Sequence, residues 1–84
     1  MYRAIISDLA RKDLKSLPQE YQGLVLNKIS SLTANPRTLG TKKLYGKKEL
    51  YRIRQGPYRI LYRVDDAKQE VTVARVRPRR EAYR

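Results

Sequence analysis

The chain has 84 residues, with 20 Lys and Arg against 8 Asp and Glu and a formal charge of +12 at pH 7. So short a chain holds one hydrophobic core, which excludes a multidomain reading and makes residues 1–84 a single expected domain. Cysteine and histidine are both absent, which excludes disulfides, thiolate metal sites, thiol nucleophiles and imidazole bases, and neither a metal nor another cofactor is expected.

Tyr2-Arg3-Ala4-Ile5-Ile6 is rich in strand formers, and Ser7-Asp8 then offers an N-cap oxygen and an acidic first turn for a helix. Ala10, Leu14 and Leu17 recur at i, i+4 and i+7 as an apolar stripe, with Arg11, Lys12 and Lys15 elsewhere on the wheel. Ser16-Leu17-Pro18-Gln19 has the spacing of a capping box, and Pro18 suits an early helical position, so a second helix is expected from here. Tyr21, Leu24, Val25, Ile29 and Leu32 line one side of it up to Asn35-Pro36, where proline forces its predecessor out of the helical region. Arg37 to Lys48 reads as a polar connection with turns at Gly40 and Gly46.

From Tyr51 the period falls to two. Tyr51 and Ile53 alternate with Arg52 and Arg54, Gln55-Gly56-Pro57 reverses the chain, and Tyr58, Ile60, Tyr62 and Val64 alternate with Arg59, Leu61 and Arg63. Asp65 and Asp66 sit in a second turn and read as turn formers, not as a catalytic carboxylate pair. Val71 to Val76 is a third strand whose core face stays open, because both parities contain apolar residues. Pro78 closes it. The order β-α-α-β-β-β predicts an α+β fold, an antiparallel sheet with the two N-terminal helices packed on one face. The tyrosine and isoleucine parity suits the covered side, which puts Arg52, Arg54, Arg59 and Arg63 on the face without helices.

The charge divides into +4 over residues 1–42 and +8 over residues 43–84, so the C-terminal half carries the cationic surface. Self-repulsion of this size points to a polyanionic partner, nucleic acid first, although solubility, an acidic protein or a membrane face are alternatives. The opening apolar run is too short for a signal peptide and no stretch suits a membrane span, so a soluble, cytoplasmic protein without a membrane partner is expected. Four strand arginines on one face are a solvated surface or a phosphate site. In the second case Arg59, flanked by Arg52 and Arg54, is a candidate phosphodiester clamp, since a guanidinium fork matches phosphate bidentately. Arg75, Arg77, Arg79, Arg80 and Arg84 surround Tyr83 and read either as a flexible basic arm or as a site. In a site, Tyr83 stacks on a base or transfers a proton. The remaining tyrosines, Tyr2, Tyr21, Tyr45, Tyr51, Tyr58 and Tyr62, read mostly as core, because Phe and Trp are absent. Lys47 and Lys48 follow a turn glycine that lacks the spacing of a P-loop, and are candidates only for backbone contact.

The strings Tyr51-Arg52-Ile53-Arg54, Gly56-Pro57-Tyr58-Arg59-Ile60-Leu61-Tyr62, Val73-Ala74-Arg75-Val76 and Arg79-Arg80-Glu81-Ala82-Tyr83 resemble the RelE/ParE superfamily of bacterial toxins, its RelE branch above all. With the helices and Leu44-Tyr45-Gly46 also in their family places, the resemblance covers nearly the whole chain. It implies a toxin of a type II toxin–antitoxin pair, a metal-independent mRNA endonuclease that acts in the ribosomal A site and inhibits translation. A cognate acidic antitoxin would hold it inactive, in a complex expected to be oligomeric. The resemblance places Arg59 and Arg79 on the scissile phosphate and Tyr83 near the attacking 2′-hydroxyl, with Arg52 and Arg54 binding RNA. Arg77, Arg80, Lys47 and Lys48 are further RNA-binding candidates. Pro78 departs from the family, many of whose members have a histidine there as a proton-transfer group. The rival readings are a ParE-like toxin that blocks DNA gyrase without cutting RNA, and an RNA-binding homologue without activity.

Overall fold

Ser7 is extended (φ −64°, ψ 162°) and its Oγ accepts the Ala10 N–H at 3.1 Å, so the helix begins at the N-cap its sequence offers. The structure, a computed structural model, describes residues 1–44 and 50–78. In chain order the elements are β1 (Arg3–Ile6), α1 (Asp8–Ser16), α2 (Gln19–Ser31), β2 (Lys42–Lys43), β3 (Leu50–Gln55), β4 (Tyr58–Asp65) and β5 (Glu70–Pro78). The strands form one sheet in the order β1-β5-β4-β3-β2. Ala10, Leu14 and Leu17 join Val25, Ile29 and Leu32 in a single core cluster against the sheet. Helix α1 lies over β5 and α2 over β3, so both helices cover one face as expected.

Four details differ from the sequence reading. The capping box at Ser16 does not form. Ser16 is the last residue of α1, with its Oγ donating to the Asp13 carbonyl, and α2 starts behind Pro18, which has no side-chain oxygen to cap with. Proline holds Leu17 extended (ψ 147°), so the break between helices falls one residue after Ser16. Helix α2 stops at Ser31, before Asn35-Pro36, where turn bonds from Leu32, Thr33 and Ala34 take over, and Leu24 is left exposed rather than on the buried stripe. The sheet is mixed: β2 to β5 are antiparallel neighbours, but β1 runs parallel to β5 from Arg3 opposite Glu70 to Ile6 opposite Val73. A parallel pair needs a long crossover, and the two helices are part of it. Finally, the polar connection contains β2, whose Lys42 and Lys43 pair with Arg52 and Tyr51. A two-residue lysine strand has no apolar alternation to betray it and is a typical guarded sheet edge.

The Gln55-Gly56-Pro57 reversal leaves Gly56 and Pro57 between β3 and β4, with Gly56 at φ +59°. Glycine suits the first central position of such a two-residue turn. A Cβ there would also stand 3.4 Å from the Tyr21 ring, which makes an edge-on contact with Tyr58. The Asp65-Asp66 turn forms as read, with Asp65 Oδ1 accepting the Lys68 N–H. Asp66 does more: it takes the Tyr2 hydroxyl and a bidentate pair of bonds from Arg37, whose guanidinium also reaches Tyr51. Those bonds, Arg37's first and Tyr2's second, hold the Asp66 carboxyl below its ordinary range.

The undecided face of β5 is explained by a bulge. Leu61 faces Arg75 but Tyr62 faces Val73, so Ala74 stands unopposed and the parity reverses there. Val71 and Val73 before it and Val76 after it are all buried, while Arg75 and Arg77 share the outer face with Leu61 and Arg59. Beyond Val73, side chains from the N-cap and the body of α1 take the place of β1 along this edge. The Ser7 hydroxyl donates to the Ala74 carbonyl, and the Asp13 carboxylate accepts the Val76 N–H at 2.9 Å. Asp13, only 8% exposed, also takes Arg75 Nε at 2.9 Å and Nη2 at 3.1 Å, with Arg77 Nη1 3.5 Å away. Burial pushes this carboxyl up, but the Arg75 and Val76 hydrogen bonds and the two guanidinium charges outweigh it and hold the group below its usual value.

Two outcomes test this framework. Tyr62 is fully buried beside Tyr51; its hydroxyl donates to the Pro36 carbonyl at 2.6 Å and lies 3.0 Å from the Thr41 hydroxyl. Tyr62→Phe leaves that carbonyl without its donor and should cost about 1–3 kcal/mol, read as a lower urea midpoint at unchanged slope. For Asp13 the folded pKa is depressed, so its contribution is present above the unfolded value of about 3.9 and is lost as pH falls through the folded one. Urea titrations between about pH 6 and pH 2 should show a shallower acid loss for Asp13→Asn than for the parent; parallel pH profiles would reject the clamp.

Candidate nucleic-acid interface

Register turns the arginine-rich strands into a grid. Arg54 on β3 faces Arg59 on β4, which faces Arg77 on β5, so three guanidinium-bearing residues form one row across the sheet face opposite α1 and α2. A second row runs from Lys42 on β2 through Arg52 and Leu61 to Arg75. Between them opens a groove of about 260 Å³, lined by Gly40, Lys42, Arg52, Ile53, Arg54 and Arg59. Arg59 is only 9% exposed, beneath its neighbours in the middle of the row. Two unit charges about 5 Å apart, the spacing of facing strand positions, repel by ~3 kcal/mol at an effective dielectric of 20. A multivalent anion laid along the row would turn that repulsion into attraction, and each guanidinium offers it a planar fork of donors.

Of the residues selected from the sequence, Arg52, Arg54, Arg59 and Arg77 come together here, and Arg63 stands on the same face opposite Leu50 and Thr72. Arg75 lies in β5 as the third-strand reading has it, Arg77 belongs to the same strand beyond its expected end at Val76, and both are held by Asp13. Arg79, Arg80, Tyr83, Lys47 and Lys48 lie outside the described residues, as do Arg84 and Tyr45. Gly40, expected only as a turn, and Lys42 join the groove, and Asp13 joins the arginines, without being among the site residues the sequence suggests. Asp13 had a signal, for it sits at i+3 from Ala10 and beside Leu14, an acid on the apolar stripe. Gly40 (φ +94°) and Lys42 reach the groove through β2, which the sequence pattern does not show. Among the described residues no cluster of three acidic side chains could hold a metal ion, and no helix is long and apolar enough to cross a membrane.

Comparison with known proteins gives a consistent answer. Residues 4–83 match the profile of the family described as ParE toxin of type II toxin-antitoxin system, parDE. Toxin RelE of Mycobacterium tuberculosis is 29% identical over 84 residues, covering 99% of this chain and 87% of its own length. Toxin RelG of the same organism is 31% identical over 84 residues, covering 99% and 97%. Among solved structures, the toxin of the RelBE2 toxin-antitoxin complex of M. tuberculosis superimposes with a TM-score of 0.82 at 31% identity, over 93% of this chain and 98% of that one. The archaeal RelE-RelB complex of Pyrococcus horikoshii gives 0.83 at 30%, over 96% and 98%. By sequence along nearly its whole length, and by the helix pair laid on a mixed sheet, the chain belongs to the ParE toxin family of type II toxin-antitoxin systems as a RelE-like toxin.

Proposed function

We propose that this toxin is a metal-independent mRNA endoribonuclease that works on the ribosome and thereby inhibits translation. The observation that carries the reading is the row Arg54-Arg59-Arg77 beside the groove of Lys42 and Arg52, on the sheet face opposite the two helices of the described residues. RNA brings its own nucleophile, and holding the 2′-hydroxyl in line with the phosphorus supplies much of the acceleration. Arg59 and Arg79 stabilise the charge that develops on the phosphoryl oxygens, and Tyr83 is the base for the 2′-hydroxyl. Arg79, or a group on the substrate side, assists the departing 5′ oxygen. Arg52, Arg54, Arg77 and Arg80, with Lys47 and Lys48, hold the flanking backbone. The products are a 2′,3′-cyclic phosphate and a 5′-hydroxyl. Pro78 leaves the proton transfers to the tyrosine and arginines, since the chain has no histidine.

An acidic antitoxin is the partner this surface calls for. The structural relatives include toxins solved together with their RelB antitoxins, and a free surface on a chain of charge +12 would otherwise collect nucleic acid indiscriminately. The antitoxin covers the arginine row or displaces the C-terminal segment, and the complex is oligomeric and cytoplasmic. A second reading has its own support, because the matching family profile is named for ParE: the toxin would block DNA gyrase and leave messages intact.

Induced expression should arrest growth, and mapping transcript 5′ ends after brief induction should reveal new ends within coding sequences. Arg59→Ala, Arg79→Ala and Tyr83→Phe should each slow cleavage by about 10²-fold or more while the fold survives. Unchanged arrest in all three would reject the site, and DNA damage with intact messages would establish the gyrase reading instead. For about six phosphate contacts to single-stranded RNA, the logarithm of the binding constant should fall with log salt at a slope near −4. Arg54→Ala should make that slope shallower by ~0.7.

A further inference from the structure

Among the described residues, no strand lies beside the end of β5 on the β1 side. Pairing with β1 ends at Val73, where Ser7 donates its N–H to the Val73 carbonyl, and the Ser7 hydroxyl then takes the bulged Ala74 carbonyl. Asp13 takes over at Val76. Its Oδ2 accepts from Val76 N and Arg75 Nε, and its Oδ1 from Arg75 Nη2, with Arg77 Nη1 at 3.5 Å. A carboxylate committed on both oxygens and buried at 8% exposure is a fixed point. From it the chain runs two residues to Pro78, and Arg79 comes next. The same two residues include Arg77, which faces Arg59 across the sheet.

We propose that Asp13 is a positioning residue of the cleavage site: by gripping Val76, Arg75 and Arg77 at once, it fixes Arg77 against Arg59, the residue assigned to the scissile phosphate. This rests on the cleavage reading above. Asp13 touches no substrate in it. Three roles for a buried acid at this place leave different signatures. A purely structural acid, once removed, lowers RNA binding and cleavage together as the folded fraction falls. An acid that only weakens the local positive potential gives tighter binding and undiminished cleavage when removed. A positioning acid separates the two, because misplacing a reacting group by about 1 Å can cost ~10²-fold in rate while the phosphate contacts elsewhere on the face remain.

The experiment compares the purified toxin with Asp13→Asn and Asp13→Glu, the second of which keeps the charge but moves the carboxylate by one methylene. Binding of a labelled single-stranded RNA oligonucleotide is measured beside single-turnover cleavage of mRNA on programmed ribosomes. Asp13→Asn should bind within about threefold of the parent or more tightly and cleave at least ~10-fold more slowly. Asp13→Glu should bind like the parent and also cleave several-fold more slowly. Cleavage within twofold of the parent in both variants would overturn the proposal, as would a loss of cleavage matched by an equal loss of binding. If Asp13→Asn does not fold, Asp13→Glu decides by the same criteria. If the parent itself cuts no RNA, the cleavage reading falls alone, and nitrogen-15 spectra decide the positioning role. The Arg77 and Arg59 Nε–Hε signals should then move in whichever variant folds while the amide signals of β3 stay in place, and unmoved signals at both would overturn it.

Discussion

Between Val73 and Arg75, strand β5 carries one residue more than β4 opposite it, and the rest of the molecule depends on that excess. Val71 and Val73 belong to the odd parity of the strand, as do Arg75 and Arg77. Without the bulge at Ala74, a strand that buries its first valines would drive both arginines into the core, at several kcal/mol for each desolvated charge. With it, Val71, Val73 and Val76 all reach the covered face, each contributing about 1.5–3 kcal/mol by burial. The arginines reach the other face in register with Leu61 and Arg59. The same irregularity therefore closes the core and aligns the cations.

An aligned row of like charges is a standing cost, and the sheet contains its partial remedy. Asp13 reaches the β5 end of the grid from α1 and takes up the charges of Arg75 and Arg77 there. It does so while replacing a missing strand partner at Val76, so one carboxylate satisfies an edge amide and an ion pair together. The anchor for the edge and the electrostatic relief of the row are thus the same group. On the opposite side of the sheet Arg37 plays a comparable part, joining Asp66 and Tyr51 so that the N-terminus, the α2–β2 connection and the β4–β5 turn are held at one place. The Tyr62 hydroxyl adds a second bond to that connection, which leads into the Gly40 and Lys42 wall of the groove.

How far all this could be read from the sequence depends on the period of each segment. The helix pair and the β3–β4 hairpin were legible because Ala10, Leu14 and Leu17, and then Tyr58, Ile60, Tyr62 and Val64, keep their periods without interruption. The same alternation put Arg52, Arg54 and Arg59 on one face, and the register confirms that they share it. Strand β5 was legible as a strand but not in its orientation, because a bulge breaks the parity that assigns a face. The parallel placement of β1 was hidden, since pairing direction depends on the path of the whole chain and leaves no local mark in four residues. Strand β2 was invisible for want of any apolar residue. Asp13 was passed over because a polar residue on a buried stripe looks like an interruption of the pattern, although it is where the pattern makes its most consequential contact.

The location of the cationic grid follows from where the helices lie. Among the described residues two short helices form one layer, and those cover one face of a five-stranded sheet. On the other face no helix of the described residues lies, and long arginine stems shield the sheet there, with Arg59 only 9% exposed beneath its neighbours. A face so rich in cations is tolerated only if the strands beneath it are stable without its help. The buried side meets that condition, with Ile60, Tyr62, Val64, Val71, Val73 and Val76 all at 2% exposure or less. Stability and anion recognition thus occupy opposite sides of the same strands, and changes to the arginines can alter what the face binds while leaving the core that holds it intact.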